Sequence, residues 1–318
     1  MYHDIRPNKR LSQTYTDGVA LVTGGSMGLG LEIVRELLRQ EMLEVVVLDV
    51  VEYPFEDPRV KFKKCDVGDE IVLKKTLESI IEMLDSTDKY ISVLVNNAGI
   101  RHHESLLDLA DSKIHDLFNI NTLSHIWILK AVINNNLLKM KREKEEEVNG
   151  EKDLSKDSND SNDSPEDLTS NTHIKPLFIV SVTSVLGALA PKNLSVYSAT
   201  KAAITLIHEA LSYELSQYRH IRMLLVSPGQ LTSGMFEDVA PSNRFFAPLV
   251  KHTELAEKIV SRIIPGHAGV LCEPLYANFI PAVRVMPMMF QHLCRWLSGM
   301  DKKINGEINE TFEEIHNT

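Results

Sequence analysis

The stretch VALVTGGSMGLG, from Val19 to Gly30, decides how the rest of the chain is read. Val19 to Thr23 shows no polar alternation, the pattern of a short strand buried on both faces. Leu29 to Gln40 then carries apolar residues at helical spacing, so the glycines lie between a strand and a helix N-terminus. Backbone N–H groups at such an end are unpaired and attract anions. Glycines there let the chain turn tightly and approach a pyrophosphate. A turn of this kind also occurs as a mere tight turn, so the reading depends on what surrounds it.

The same alternation continues downstream. Strands are expected at Glu44–Asp49, Val60–Cys65, Ile91–Val95, Leu177–Val182, Ile221–Val226 and Gly269–Cys272, and helices at Ile71–Leu84, Asp111–Leu138, Ser195–Gln217 and Glu254–Ile264. Strand–helix alternation with short links predicts an α/β fold, a single doubly wound parallel sheet of Rossmann type with helices on both faces, over residues 17–272. Residues 141–173 break the pattern. They are rich in Glu, Asp, Lys, Ser and Asn, almost without large apolar side chains, and read as a disordered acidic insertion in one domain. Residues 273–318 read as an apolar tail.

Composition narrows the function classes. A net charge of -10 argues against nucleic acid or an anionic membrane as the main partner, since both repel a negative surface. Three cysteines, Cys65, Cys272 and Cys294, are too few and too far apart for a disulfide framework and point to a reducing compartment. None sits in a CxxC pair, and no metal site is expected. Residues 1–18 have no apolar core, so neither a signal peptide nor a membrane span is expected there.

Further motifs follow the predicted strands. Asp49 ends the second strand about 20 residues after the glycine turn, where a carboxylate accepts hydrogen bonds from ribose hydroxyls and repels a 2′-phosphate. No Lys or Arg lies in the turn to attract such a phosphate, so NAD is expected rather than NADP. Asp66-Val67 follows the third strand, and NNAG, Asn96 to Gly99, follows the fourth. Small residues there permit close approach to a ligand, although Asn and Gly are also ordinary turn residues. In YSATK, Tyr197 and Lys201 form an i,i+4 pair on one helix face. A neighbouring ammonium and a positive nicotinamide ring both favour the phenolate, which fits Tyr197 to exchange a proton with an alcohol or carbonyl. Ser184, 13 residues earlier and just past a strand, is placed to hold the substrate oxygen.

TGxxxGxG, NNAG, a Ser 13 residues before YxxxK and the later Pro228-Gly229 together resemble the short-chain dehydrogenase/reductase family, with order and spacing matched over about residues 17–272 apart from the insertion. The resemblance implies a cofactor site made of Gly24, Ser26, Gly28, Leu29 and Gly30, of Asp49, Asp66 and Val67, of Asn97 and Ala98, of Tyr197 and Lys201, and of Pro228, Gly229, Leu231 and Ser233. It also implies that Asn121, Ser184, Tyr197 and Lys201 are catalytic, with Asn121 holding a water in a proton relay to Lys201. Ser233 stands where the family usually has a Thr. The long helices resemble the family's dimer-forming pair, so a homodimer is implied.

The substrate side is expected to be apolar, with Val185, Leu186, Leu189 and Leu194 before Tyr197 and Met235, Phe236, Phe245 and Phe246 after the Pro-Gly turn. That suits a lipophilic alcohol or ketone, a retinoid, steroid or similar lipid; the same side chains also suit simple core packing. SPGQLTSGMF and the tail from Pro274 resemble the membrane-associated retinol and 17β-hydroxysteroid dehydrogenase branch. The tail carries Met and aromatic residues with Arg284, Arg295, Trp296, Lys302 and Lys303, a pattern for a membrane or lipid-droplet surface, a pocket lid or a dimer interface. The expected location is the cytoplasmic side of the endoplasmic reticulum or a lipid droplet, or else the cytosol. Two alternatives stay open: a cofactor-binding protein without catalysis that acts through its acidic insertion, and a cytosolic NADPH carbonyl reductase.

Overall fold

The computed structural model describes residues 15–154, 175–233, 235, 248–299 and 301. Seven strands form one sheet: β1 (Val19–Thr23), β2 (Glu44–Asp49), β3 (Val60–Lys64), β4 (Ile91–Asn96), β5 (Leu177–Val182), β6 (Ile221–Pro228) and β7 (Gly269–Glu273). The order is β3-β2-β1-β4-β5-β6-β7 and every pairing is parallel. Winding runs outward one way from β1 to β3 and the other way from β4 to β7. The switch falls between β1 and β4, and a crevice at their carboxyl ends is where sheets of this kind take ligands.

Side-chain alternation along each strand divides the core in two. In β1, Ala20 and Val22 pack with α1 (Gly28–Arg39) and α6 (His252–Ile263), through Ile33, Leu37, Leu255 and Ile259. Val19 and Leu21 face the other way, toward α2 (Glu70–Ser86) and α4 (Ser124–Leu154), through Leu73, Ile80, Ile128 and Val132. β1, β2, β4 and β5 are buried at every position, which is why their sequences show no polar alternation. The doubly wound parallel sheet read from the sequence is the fold observed.

Two helical expectations need correction. The helix expected over Asp111–Leu138 is interrupted: α3 (Asp111–Phe118) leads into a π-helical turn, Asn119–Leu123, before α4 begins. And α4 does not stop near Leu138 but runs to Leu154, through the first 14 residues of the stretch read as disordered. Those residues are charged, but they include many Lys, Arg and Glu, which are good helix formers. Lys141 pairs with Glu145 one turn on at 3.9 Å, and Glu143 holds Lys175 at 2.6 Å. Residues 155–173 of the stretch lie outside the described residues. Beyond β7 come a short turn, Leu275–Phe279, then α7 (Ile280–Val285) and α8 (Met288–Ser298), with Pro287 at the break between them. Among the described residues no helix is long and apolar enough to cross a membrane.

Candidate active site

The glycine turn closes over the carboxyl ends of β1 and β4. Gly24 has φ +63°, a left-handed conformation that favours glycine. Gly30 is helical, but a Cβ built on it would lie 2.0 Å from the Gly24 carbonyl oxygen. The first turn of α1 is thereby pressed onto the strand it follows. Thr23 ties this turn to the next loop: its Oγ1 accepts from the backbone N–H groups of Asn97 (3.0 Å) and Ala98 (3.1 Å). Asn97 returns the contact, its Nδ2 donating to the carbonyls of Thr23 (3.1 Å) and Gly24 (3.0 Å). Thr23 was quoted within the motif but given no role of its own; its place as the last residue of a buried strand was the available signal.

Asp49 sits at the end of β2, nearly buried. Its Oδ2 accepts from the Ser26 N–H at 2.9 Å and its Oδ1 from Val51 N–H at 3.2 Å. It therefore braces the glycine turn whatever else it binds. The Ser26 hydroxyl, buried within the turn, has no hydrogen-bond partner among the described residues, a donor left over for a ligand oxygen. Across the turn, Ser233 comes within 3.3 Å of where a Gly28 Cβ would be. Pro228 ends β6, Gly229 N–H donates to Glu273 O at 2.6 Å, and Leu231 bridges to Val250. Asp66 is exposed and accepts from Gly68 N–H at 2.8 Å, while Val67 is buried. Leu29 is buried beneath the turn.

A second group meets the same edge of the sheet. Ser184 follows β5, and α5 (Ser195–Glu214) presents Tyr197 and Lys201 to it. The Tyr197 hydroxyl shares a hydrogen bond with the Ser184 side chain. Lys201 Nζ lies 6.0 Å from the Tyr197 ring centre and donates to Val182 O at 3.1 Å. Asn121 occupies the π-helical turn, a feature frequent at functional sites. Its side chain clamps the loop after β4, accepting from Ile100 N–H at 2.8 Å and donating to Ile100 O at 2.8 Å, and it donates to Thr200 Oγ1 at 3.1 Å. A Cβ on Gly99 would sit 3.2 Å from Asn121 Oδ1 and 3.3 Å from Lys201 Nζ, so these two side chains meet at the loop after β4.

Burial dominates the electrostatics. It pushes the Tyr197 hydroxyl up to about 12, against the lowering effect of the Ser184 hydrogen bond and of Arg101. It pulls Lys201 down to about 8. The Lys201 ammonium is turned to the Val182 carbonyl, and desolvation of the tyrosine outweighs the groups that favour the phenolate. His125, fully buried near Lys201 and bonded through Nε2 to Ala98 O at 3.2 Å, is held down to about 3 by burial and then by that cation. It is a neutral neighbour that the motif reading did not single out.

Of the predicted substrate-side residues, Val185, Leu186 and Leu194 are buried or half-buried, and Leu186 and Leu194 pack with Tyr197. Met235 is partly exposed, and its carbonyl accepts from Arg101 Nε. Phe236, Phe245 and Phe246 lie outside the described residues. Among those described, no cluster of His, Cys, Asp and Glu suits a metal ion.

A family model for short chain dehydrogenases matches residues 18–146 and 178–244, which hold the glycine turn, the NNAG loop and the Ser-Tyr-Lys group. The chain belongs to that family. It is an NAD(P)-dependent dehydrogenase acting on CH–OH groups. This short-chain dehydrogenase is 30% identical to an uncharacterized oxidoreductase, TDA5, of Saccharomyces cerevisiae, over 90% of this chain and 78% of that one. It is 29% identical to retinol dehydrogenase 10-B of Danio rerio, over 85% of this chain and 70% of the fish protein. Relatives with 17β-hydroxysteroid dehydrogenase names also match, so the resemblance to that branch holds. In fold it is similar to a short chain dehydrogenase of Burkholderia cenocepacia solved in complex with NADP, with TM-score 0.63, 20% identity and coverage of 87% of this chain and 96% of that one.

Proposed function

We propose that this short-chain dehydrogenase moves a hydride between NAD and a lipophilic secondary or primary alcohol or its carbonyl, with Tyr197 as the proton-exchanging group. The observation that carries the reading is the buried Tyr197 hydroxyl bonded to Ser184 beside Lys201, at the same sheet edge as the glycine turn. The residues fit a dinucleotide: Gly24 and Gly28 take the left-handed φ of +63° and +54° that the tight turn needs, the Ser26 hydroxyl is a spare donor, and Asp49 at the end of β2 faces the turn. When bound, the oxidised cofactor supplies the hydride acceptor and a positive ring that favours the tyrosinate. Ser184 holds the substrate oxygen against Tyr197. Tyr197 takes the alcohol proton in oxidation, or returns it in reduction. Lys201, whose burial makes its ammonium readier to give up a proton, exchanges the proton onward, and Asn121 fixes the loop behind it.

Asp49 supports NAD over NADP, because its carboxylate already faces the turn and would repel a 2′-phosphate. Leu186 and Leu194 packed against Tyr197 support a lipophilic substrate. The test is cofactor absorbance with retinol, steroid and long-chain alcohols, NAD and NADP side by side. Turnover of one of these alcohols with a preference for NAD of about 10-fold or more is expected, that being the cost of roughly one unfavourable charge contact. Turnover with NADP alone overturns the cofactor assignment, and turnover of only small polar alcohols overturns the substrate class.

The tail supports contact with a membrane or lipid-droplet surface. Phe279, Val285, Met288, Met289 and Trp296 are all largely exposed on α7, α8 and the turn before them. From Pro274 to Gly299 there is no Asp or Glu, and Arg284 adds positive charge in a chain of net charge -10, whereas Arg295 is held by Asp301 at 2.8 Å. Exposed apolar side chains flanked by cations suit a lipid interface. Flotation with vesicles containing anionic lipid is expected to carry the protein, and Val285→Asp with Met289→Asp to release it. Equal flotation of both proteins, or of neither, counts against the reading.

A further inference from the structure

The first turn of α5 holds Tyr197, yet it lacks a side-chain cap of its own. Leu194 precedes the helix, and no side chain of that residue reaches the free N–H groups. Helix ends leave such N–H groups without partners, and buried ones need an acceptor from elsewhere. For Tyr197 the acceptor comes from another element: its backbone N–H donates to Nε2 of His102 at 3.3 Å. His102 lies in the loop after β4, and its ring is 1% exposed. The other nitrogen, Nδ1, stands 3.2 Å from the Glu104 carbonyl. An N–H facing Nε2 requires a lone pair there, so the ring proton sits on Nδ1 and is donated to Glu104 O. Both ring nitrogens are thus committed, and the imidazole spans from the loop behind the NNAG motif to the backbone of Tyr197.

We propose that His102 is a positioning residue for Tyr197: as a neutral acceptor it caps the start of α5 and fixes where the tyrosine hydroxyl stands relative to Ser184. The inference rests on Tyr197 being the proton-exchanging group. Protonated at Nε2, the ring would present N–H to N–H at the positive end of a helix, and the cap would open. The groups facing the imidazole are Glu104 and His103 on its own loop, Lys113 on α3 and Tyr197 on α5. Glu104 Oε2 lies 4.0 Å from Nδ1 but is exposed and screened, while Lys113 and His103 oppose a further positive charge. Burial holds His102 below its ordinary 6.5, so the cap is intact at neutral pH and opens on the acid side.

The experiment uses the full chain saturated with NAD and carrying tyrosine labelled at the amide nitrogen and the ring ζ-carbon. The chain has eight tyrosines, so the Tyr197 signals are assigned by their loss in Tyr197→Phe. In wild type, both Tyr197 signals are expected to shift together in one step below pH 6.5. His102→Phe keeps a ring but removes the acceptor; it should displace both signals at pH 7.5 and abolish the step. His102→Gln places an amide oxygen near the Nε2 position; it should restore the neutral-pH positions yet show no step. With the best alcohol from the panel, His102→Phe should lower kcat about 10- to 100-fold, the effect of misplacing a reacting group by about 1 Å, with KM for NAD unchanged. A folded His102→Phe protein whose ζ-carbon signal is unmoved overturns the proposal. Should that variant not fold, a persisting acid step in His102→Gln overturns it. Turnover by Tyr197→Phe would instead overturn the role of Tyr197, whatever the labelled signals do.

Discussion

Tyr197→Phe is expected to lower kcat for alcohol oxidation by about 10²- to 10⁴-fold, the usual contribution of a positioned general acid or base. The substitution removes only the hydroxyl. The ring stays packed against Leu186 and Leu194, and the start of α5 keeps its cap from His102. The Ser184 hydroxyl loses one partner but still accepts from Leu186 N–H at 3.2 Å. The stability change should therefore stay near 1 kcal/mol, the net worth of one hydrogen bond, and NAD affinity should fall by no more than about 10-fold, since one hydroxyl contact is lost. Loss of rate with retained binding separates a chemical role from a structural one. A variant within 10-fold of wild type, at equal cofactor affinity, would sink the assignment.

The direction of pH dependence follows from the same hydroxyl. Burial pushes it up to about 12 in the free protein, so below that value it is mostly phenol. Oxidation needs the phenolate, whose fraction grows tenfold per pH unit below the apparent pKa. Reduction needs the phenol, which is already present. Oxidation should thus quicken with pH up to a break in the cofactor complex, whereas reduction stays level and falls only beyond the break. The positive ring of the bound cofactor moves that break below 12.

What was legible in the sequence was what is local. The glycine turn and the Tyr197–Lys201 pair are each set by spacing within one strand–turn–helix unit, and the structure puts them where those units end. The alternation of buried strands and amphipathic helices carried the sheet for the same reason. What escaped is what depends on contact across the chain or on a subtle change of helical pitch. Asn121 was matched through its family resemblance, but nothing in FNIN announces that the helix around it widens into a π-helical turn. His102 is separated from its partner by 95 residues and caps a helix that it does not precede. Such a cap has no sequence signature. The charged run from residue 141 misled because charge without apolar periodicity describes both a disordered segment and a solvent-exposed helix, and here α4 continues through it to Leu154.

Gly30→Ala is expected to be the most damaging single methyl group among the described glycines. The new Cβ would fall 2.0 Å from the Gly24 carbonyl oxygen and 2.6 Å from Asn97 Nδ2. Neither neighbour is a free side-chain end. Gly24 O is backbone, and Asn97 Nδ2 is bonded both to that oxygen and to Thr23 O. α1 must therefore move away from β1, or the turn must open and break the link between the β1 and β4 loops. Overpacking of this kind costs roughly 1–3 kcal/mol or more, a fall in Tm of about 2–5 °C for a chain of this size. The larger effect should fall on NAD affinity, because the displaced atoms are the turn that faces the cofactor; a loss of about 100-fold corresponds to about 2.8 kcal/mol. Gly299→Ala is the control. Gly299 also has a left-handed φ of +63°, but nothing lies within 4 Å of its Cβ position at the end of α8. It should cost only about 1–2 kcal/mol of backbone strain and leave NAD binding alone. Calorimetric titration with NAD distinguishes the two: equal affinity in Gly30→Ala and wild type would mean that the pressed turn is not the cofactor's seat.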